Sequence, residues 1–267
     1  MWVAGASTGE GAAHVAAQPV TLDGLYVLVA RALAVRYRRS SLGFAWSLLQ
    51  PLMAMAVLTA VFANVFTSIE RYPVYVIVGV FVWGFFSLTL VQAMDSLLGA
   101  APILRRVAAP PALFPLAVVA ANLVHLLLSL ALLVAVGAVF GFVSPWLAPA
   151  ALAALFPLAL FTAALALVMS AVCVFFHDVR YFAEGILLLG FYATPVMYPA
   201  SIVPERWSAL LTLNPMVWLL APLRDALWAG RGPDPWLLAL TTAAAALAAV
   251  AASALFARLS RRFYLYL

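Results

Sequence analysis

Residues Val35–Phe66 read VRYRRSSLGFAWSLLQPLMAMAVLTAVFANVF, and they join a basic cluster to a long apolar segment. Arg36, Arg38 and Arg39 stand close together, and no charged residue follows them as far as Phe66. An apolar helix of about 20 residues can cross the hydrocarbon core of a bilayer. Arginine beside such a segment is typical of the cytoplasmic side of the membrane. The stretch therefore predicts a membrane protein whose first span, Phe44–Phe66, begins in the cytoplasm.

The composition of the whole chain predicts the same class. Of the 267 residues, 67% are hydrophobic and 9% are charged, whereas a soluble domain has about 25% charged residues. So little charge cannot cover a surface exposed to water, so most of the chain is expected to lie in lipid. The sequence has no lysine, and a Walker A phosphate-binding loop requires one. If ATP drives this protein, another chain must therefore bind it.

Six apolar segments are predicted as spans. They are Phe44–Phe66, Val74–Met94, Ala112–Phe140, Trp146–Phe176, Ile186–Tyr198 and Trp236–Phe256. The fifth is short and contains Pro195 and Pro199, which interrupt helices. It either crosses with the help of flanking residues, over about 184–200, or enters the bilayer and returns. Non-helical backbone at that depth is tolerated only where protein or water surrounds it.

The arginines give the orientation. Ten arginines fall on one side of a six-span arrangement and four on the other, and each of those four has an acidic residue close by in the sequence. The positive-inside rule then places both termini in the cytoplasm and favours crossing by the fifth segment. Two short helices, Pro204–Leu213 and Pro215–Ala229, are predicted at the external face or dipping into it, with Asn214 as the N-cap of the second.

Two regions lie outside the spans on the N-terminal side. Residues 1–20 are small and polar, without the basic and apolar regions of a signal peptide, and are expected to be disordered. Residues 21–40 are predicted to form an interfacial amphipathic helix. Leu22, Leu25, Val29 and Leu33 follow helical spacing along one stripe, and Asp23 lies in the first turn.

Two other function classes are disfavoured. A carrier driven by protons or sodium ions usually holds ionisable residues deep in the bilayer. Asn122 and His125 lie within the third segment on one helix face, and an interhelical hydrogen-bonded pair is favoured over a proton relay. A membrane enzyme needs clustered acids or metal ligands. The best cluster is His177, Asp178, Arg180 and Glu184, for which a charged turn that contacts a cytoplasmic partner is favoured.

The loop Asp95–Leu116 is bounded by prolines and contains Arg105 and Arg106. Such a rigid loop between the second and third spans suits a docking element. An ordinary interfacial loop would have the same residue spacing, so both interpretations remain open here. The single cysteine, Cys173, excludes an internal disulfide.

Two long motifs resemble the permeases that export polysaccharides within the ABC transporter superfamily, of the O-antigen and teichoic-acid exporter type. The family's RY(K/R)xSxLGxxWxLLxP pattern is met by Arg36, Tyr37, Arg38, Ser40, Leu42, Gly43, Trp46, Leu48, Leu49 and Pro51. The family's TPIxYP, PxxW, NP and xRDxL elements appear in order at Thr194–Pro199, Pro204–Trp207, Asn214–Pro215 and Arg224–Leu227. The resemblance covers about residues 25–260.

The resemblance implies an all-α homodimer of six-span subunits that binds two copies of an ABC ATPase in the bacterial cytoplasmic (inner) membrane. The ATPases would bind ATP and Mg²⁺, and this chain would have no cofactor, metal or catalytic residue and no nucleic-acid partner. The implied cargo is a glycan on undecaprenyl pyrophosphate, and the implied channel lies at the dimer axis between the first and fifth spans. Cytoplasmic turns near Leu97–Pro110 and His177–Phe182 would dock on the ATPases.

Candidate site residues follow from this resemblance. Arginine pairs bidentately with phosphate oxygens, so Arg36, Arg38 and Arg39 are candidates for the head group of the lipid carrier. Binding to ordinary anionic lipids is the alternative for each of them. Sugars stack on aromatic faces, and the candidate channel aromatics are Phe44, Trp46, Tyr192 and Tyr198. The candidate ATPase-coupling residues are Arg105, Arg106, His177, Asp178 and Arg180.

Two alternatives stay open at the level of sequence. A permease of a related ABC exporter for a drug or lipid would share much of this pattern, although the RYRRSSLG and PERW elements favour a polysaccharide. A membrane-embedded glycan-processing enzyme would require a convergent acidic cluster. The sequence does not identify the glycan, the ATPase or the part of the cargo that is recognised.

Overall fold

The computed structural model describes residues 22–37, 45–62, 70–106, 109–263 and 266, and these residues form helices without any β-strand. The nine α-helices in these ranges are α1 Leu22–Tyr37, α2 Trp46–Phe62, α3 Tyr72–Leu104, α4 Leu113–Val139, α5 Ala148–Phe175, α6 Val179–Ala193, α7 Ser208–Leu213, α8 Pro215–Arg224 and α9 Pro235–Ser260. A short π-helix, Asp225–Ala229, extends α8. The predicted all-α class is confirmed.

Four helical segments of the described chain are long and apolar enough to cross a membrane. They are Tyr72–Leu104, Leu113–Val139, Pro145–Phe175 and Pro235–Ser260. Each overlaps one of the predicted spans. The remaining two predicted spans correspond to shorter helices, α2 with 17 residues and α6 with 15.

Helix α3 is longer than the predicted second span. It continues past Met94 to Leu104, so the first part of the predicted loop Asp95–Leu116 is helical. Leu97 is fully buried and Ala100 nearly so, in contact with the ends of neighbouring helices. This apolar burial stabilises the additional turns. Pro102 lies in the last turn, and the helix ends two residues beyond it.

Helix α6 begins earlier and ends earlier than the predicted fifth segment. It starts at Val179 and stops at Ala193, and the residue that follows, Thr194, is extended with φ −95° and ψ 137°. Pro195 explains the end, because proline disfavours the helical conformation of the residue before it. Residues Thr194–Pro199 continue without α-helix.

The helices alternate in direction between two ends of the bundle. At the end that contains the start of α3, here called the Tyr72 end, the Arg71 guanidinium donates to the carbonyl of Phe142 at 3.1 Å and the Trp228 indole donates to the carbonyl of Glu70 at 2.8 Å. At the opposite Leu104 end, one apolar cluster joins the end of α3, the start of α4 and the ends of α5 and α9.

Helix α3 is the centre of the bundle. It packs against α2, α4, α5, α6 and α8, and 67% of its most apolar stretch is buried, against 17% for α9. Helix α9 instead packs mainly against α5. The difference in burial shows that α3 lies in the interior of the bundle, whereas α9 lies at its outside.

The hairpin α7–α8 confirms the two short helices predicted after the fifth segment. Asn214 ends α7 and caps α8, because its side-chain oxygen accepts from the backbone N–H of Met216 at 3.0 Å. Pro215 shares an apolar cavity with Phe161, which lies halfway along α5. The turn of the hairpin therefore reaches the middle of the bundle.

Helix α1 lies against α4. Of its predicted apolar stripe, Leu25, Val29 and Leu33 are partly covered, whereas Leu22 is 83% exposed. Asp23 stands in the first turn, as predicted, where a negative charge interacts favourably with the helix dipole.

Candidate transport path and contact surfaces

A cavity of about 620 Å³ opens between α2, α3, α4 and α6. Helix α2 contributes Gln50, Pro51 and Ala54, and α6 contributes Glu184 and Phe191. Apolar side chains of α3 and α4 form most of the remaining wall. The two helices that flank this cavity are those that correspond to the predicted first and fifth spans.

The polar side of the cavity lies on α4. Asn122 is buried, and its amide donates to the side-chain oxygen of Gln92 on α3 at 2.9 Å. Ser129 donates to the backbone carbonyl of His125 at 2.9 Å. The interhelical hydrogen bond predicted for Asn122 is therefore present. Its partner Gln92 was missed, because an amide in an apolar segment does not reveal which helix it faces.

Helix α6 has no buried residue. Tyr181, Phe182 and Leu189 are each at least 70% exposed, and Ile186 and Leu188 are exposed as well. Its apolar surface is thus covered by lipid or by another protein surface.

The candidate channel aromatics lie in different settings. Trp46 is the first residue of α2 and is 40% exposed, and Tyr192 near the end of α6 is 67% exposed. Tyr198 is half-buried, and its hydroxyl donates to the carbonyl of Tyr192 at 2.7 Å. Phe44 lies outside the described residues. Of the three described candidates, Trp46 and Tyr192 are therefore the more exposed.

The Leu104 end carries a small ion-pair network. Arg180 on α6 donates to Asp95 on α3 at 2.8 Å and to Glu184 on its own helix at 3.1 Å. Sequence analysis placed Arg180 and Glu184 together but missed Asp95, which is 85 positions away in the chain.

The other candidate coupling residues surround this network. Arg105, Arg106, His177 and Asp178 are all exposed at the turns that follow α3 and α5. The end of α9 adds Arg258, Arg261 and Arg262 to the same end of the bundle. The surface is therefore basic and open to a partner.

The candidate head-group arginines fall at the limit of the described residues. The backbone of Arg36 belongs to α1, but its side chain is outside the described part of the chain. Arg38 and Arg39 lie wholly outside the described residues. Within the described ranges, no group of three His, Cys, Asp or Glu side chains could hold a metal ion.

Comparison with known proteins gives the family. The profile of the ABC-2 type transporter family matches residues 23–228. The chain belongs to the ABC-2 type transporter family. This ABC-2 protein is 32% identical over 235 residues to the O-antigen export system permease protein RfbA of Myxococcus xanthus, a match that covers 87% of this chain and 90% of the relative. It is 28% identical over 205 residues to an O-antigen export system permease protein RfbA of Klebsiella pneumoniae, with 76% and 79% covered.

The resemblance drawn from the two motifs is therefore confirmed for the family. The ABC-2 match includes α1 to α8 and ends in the π-helix, so the hairpin belongs to the shared part of the chain. Members of this family named above are permeases, which are transport subunits.

Proposed function

We propose that this chain is the membrane-spanning permease subunit of an ATP-driven exporter that moves a lipid-linked polysaccharide across the bacterial cytoplasmic membrane. The match to O-antigen export permeases over most of their length supports the cargo class. The observation that carries the proposal within the structure is the cavity between α2 and α6, together with the absence of any fully buried residue on α6. These two helices supply one half of a path that a second subunit completes.

Six crossings are proposed, with α2 and α6 as the first and fifth. A 17-residue helix is about 26 Å long and a 15-residue helix about 22 Å, against a hydrocarbon core of about 30 Å. For α6, Thr194–Pro199 supplies the remaining length. The alternating helix directions and the arginine-rich Leu104 end support a cytoplasmic Leu104 end with both termini on that side. The hairpin α7–α8 then re-enters the membrane from outside.

A homodimer is the proposed assembly. The exposed apolar face of α6 adjoins the cavity, so a second copy rather than lipid is proposed to cover it. A second copy that packs around α2 and α6 would enclose the cavity and form the channel at the dimer interface. Trp46, Tyr192, Tyr198 and Phe44 are the proposed contacts for sugar rings.

A separate ABC ATPase is the proposed energy source. This chain has no lysine for a Walker A loop, so the partner would bind ATP and Mg²⁺. Its docking surface is proposed at the Leu104 end, where Arg105, Arg106, His177 and Asp178 are exposed and Arg180 braces α6 against α3. Two ATPase copies would serve the dimer.

The proposed contact for the cargo's pyrophosphate is the cluster Arg36, Arg38 and Arg39. A triple change to glutamine is expected to lower export while the permease still dimerises and still binds the ATPase. Unchanged export would show that these arginines serve only to orient the chain in the membrane.

The function is tested by co-purification with a candidate ABC ATPase, and a Walker A protein encoded by a neighbouring gene would be the first choice. We expect the two proteins to elute as one complex, and ATP hydrolysis by the complex to rise when lipid-linked polysaccharide is added. The matched control is the ATPase with its Walker A lysine replaced, which should bind but not hydrolyse. A stable permease that never associates with an ATPase would overturn the proposal.

A further inference from the structure

The segment Thr194–Pro199 has an unusual set of hydrogen bonds. Its four consecutive carbonyls from residue 195 to residue 198 all lie within hydrogen-bond distance of donor side chains distant in the sequence. Arg224 donates to Val196 at 2.8 Å, and Tyr72 donates to Met197. The single hydroxyl proton of Tyr75 is shared between the carbonyls of Tyr198 at 3.0 Å and Pro195 at 3.4 Å. Non-helical backbone away from water needs such partners, because an unpaired buried carbonyl is costly. Tyr72, Tyr75 and Arg224 are here called the carbonyl cradle.

Arg224 is the charged member of the cradle. It is buried, and its guanidinium carbon lies 3.6 Å from the centre of the Tyr75 ring, in a cation–π arrangement. Within the described residues it forms no ion pair, whereas its neighbour Asp225 pairs with the exposed Arg231 at 2.7 Å. The guanidinium of arginine stays charged in proteins at neutral pH. A buried cation is therefore directed at a backbone carbonyl rather than at an acid.

Gly79 on α3 gives the cradle its space. A Cβ at this position would lie 2.5 Å from the Val196 carbonyl oxygen and 2.8 Å from a terminal nitrogen of Arg224. Both distances are shorter than real carbon contacts allow. The close approach of the segment and the arginine to α3 therefore depends on glycine.

The cradle is connected to the end of α6. Tyr198 donates to the carbonyl of Tyr192 in the last turn of α6, and the Asn214 amide donates to the Thr194 hydroxyl at 2.8 Å. The segment thus joins α6, the hairpin and α3 by side-chain hydrogen bonds. Helix α6 has no fully buried residue, and its side chains Leu187 and Phe191 pack against the core. The bonds at one end of α6 and the Arg180–Asp95 pair at the other add to this packing in setting its position.

We infer that Arg224 is a positioning residue for transport, which holds Thr194–Pro199 against α3 and thereby sets the position of α6 beside the cavity. The inference rests on the proposed function, since α6 is the helix assigned to the path. Arg224 need not contact the cargo. Lysine at this position keeps the charge but loses the planar stacking on Tyr75. Arg224→Lys is therefore expected to retain only part of the positioning effect on transport.

The first test measures hydrogen–deuterium exchange of the peptide that covers residues 190–200, in the permease–ATPase complex in lipid nanodiscs. In Arg224→Gln we expect its amides to exchange about ten times faster, the factor that corresponds to losing about 1.4 kcal/mol of a charged hydrogen bond. The matched control is Arg206→Gln, an exposed arginine of the same hairpin region, which should leave exchange unchanged. Equal exchange in both variants would overturn the inference.

The second test measures polysaccharide exported per ATP hydrolysed by the same complexes. Arg224→Gln should lower this ratio several-fold, and Arg224→Lys should restore part of it. If Arg224 has only a structural role, the yield of assembled complex should fall while the polysaccharide exported per ATP stays unchanged. That result would overturn the inference. If Arg224→Gln does not assemble, Tyr75→Phe keeps the ring under the guanidinium and removes only the hydroxyl, so it should show the same two changes. Failure of the wild-type complex to export would instead count against the proposed function, while the exchange result still tests the cradle.

Discussion

Substitution of Gly79 by alanine should destabilise the protein, although alanine is the better helix former. The new Cβ would lie 2.5 Å from the Val196 oxygen, so the segment must retreat by about 0.9 Å to reach ordinary contact, which begins at 3.4 Å. Overpacking of this kind costs about 1–3 kcal/mol, and loss of the charged hydrogen bond from Arg224 adds about 1.5–3 kcal/mol. The helix-propensity gain of about 1 kcal/mol offsets part of this. We expect a net loss of about 1.5–5 kcal/mol in the free energy of unfolding.

The chain's single cysteine provides the assay. Cys173 is buried in α5, so a thiol-reactive dye labels it only as the bundle opens during a denaturant titration in detergent. Gly99→Ala is the matched control, because Gly99 lies on the same helix with no atom within 4 Å of the added carbon. It should raise the midpoint or leave it unchanged, whereas Gly79→Ala should lower it. Equal shifts in the two variants would refute the reasoning.

Three further predictions concern pairs and surfaces elsewhere in the bundle. Asp95→Asn should change the free energy of unfolding by less than about 1 kcal/mol, because the pair with Arg180 is partly exposed. A larger loss of stability, measured by thermal unfolding, would contradict this small contribution. Asn122→Leu should cost about 0.6–1.7 kcal/mol, since Gln92 loses its interhelical partner; a double variant that also replaces Gln92 by Leu should recover stability, and absence of recovery would contradict the pairing. Leu189 lies on the exposed face of α6. In a chain with Cys173 replaced by Ala, Leu189→Cys should form a disulfide-linked dimer in membranes under oxidation. A persistent monomer would contradict α6 as a dimer surface.

Local sequence patterns predicted most of the helices. Four long apolar segments, the two short helices of the hairpin and the Asn214 cap could be predicted because each depends on residues within a few turns of one another. The break after Ala193 was also predictable, since Pro195 acts on the residue immediately before it. The added turns of α3 beyond Met94 were not, because they are stabilised by contacts with the ends of α5 and α9.

The candidate site could be predicted only in part. Arg180 and Glu184 are four residues apart on one helix, so their pairing could be predicted. Asp95 is 85 positions away from Arg180 in the chain, so this partner could not. The carbonyl cradle was beyond sequence reasoning for the same reason. Its hydrogen bonds join residues 28 to 125 positions apart, and tyrosines near a span end are equally typical of a membrane interface.

The central claim is that this chain exports a lipid-linked polysaccharide with energy from a separate ATPase. The most direct measurement uses inverted membrane vesicles that contain the permease and its ATPase, with labelled lipid-linked polysaccharide added outside. The account predicts that the labelled glycan becomes protected inside the vesicles only when ATP is present and only when both proteins are present. Protection that does not require ATP or the ATPase, or no protection with both proteins and ATP, would contradict it.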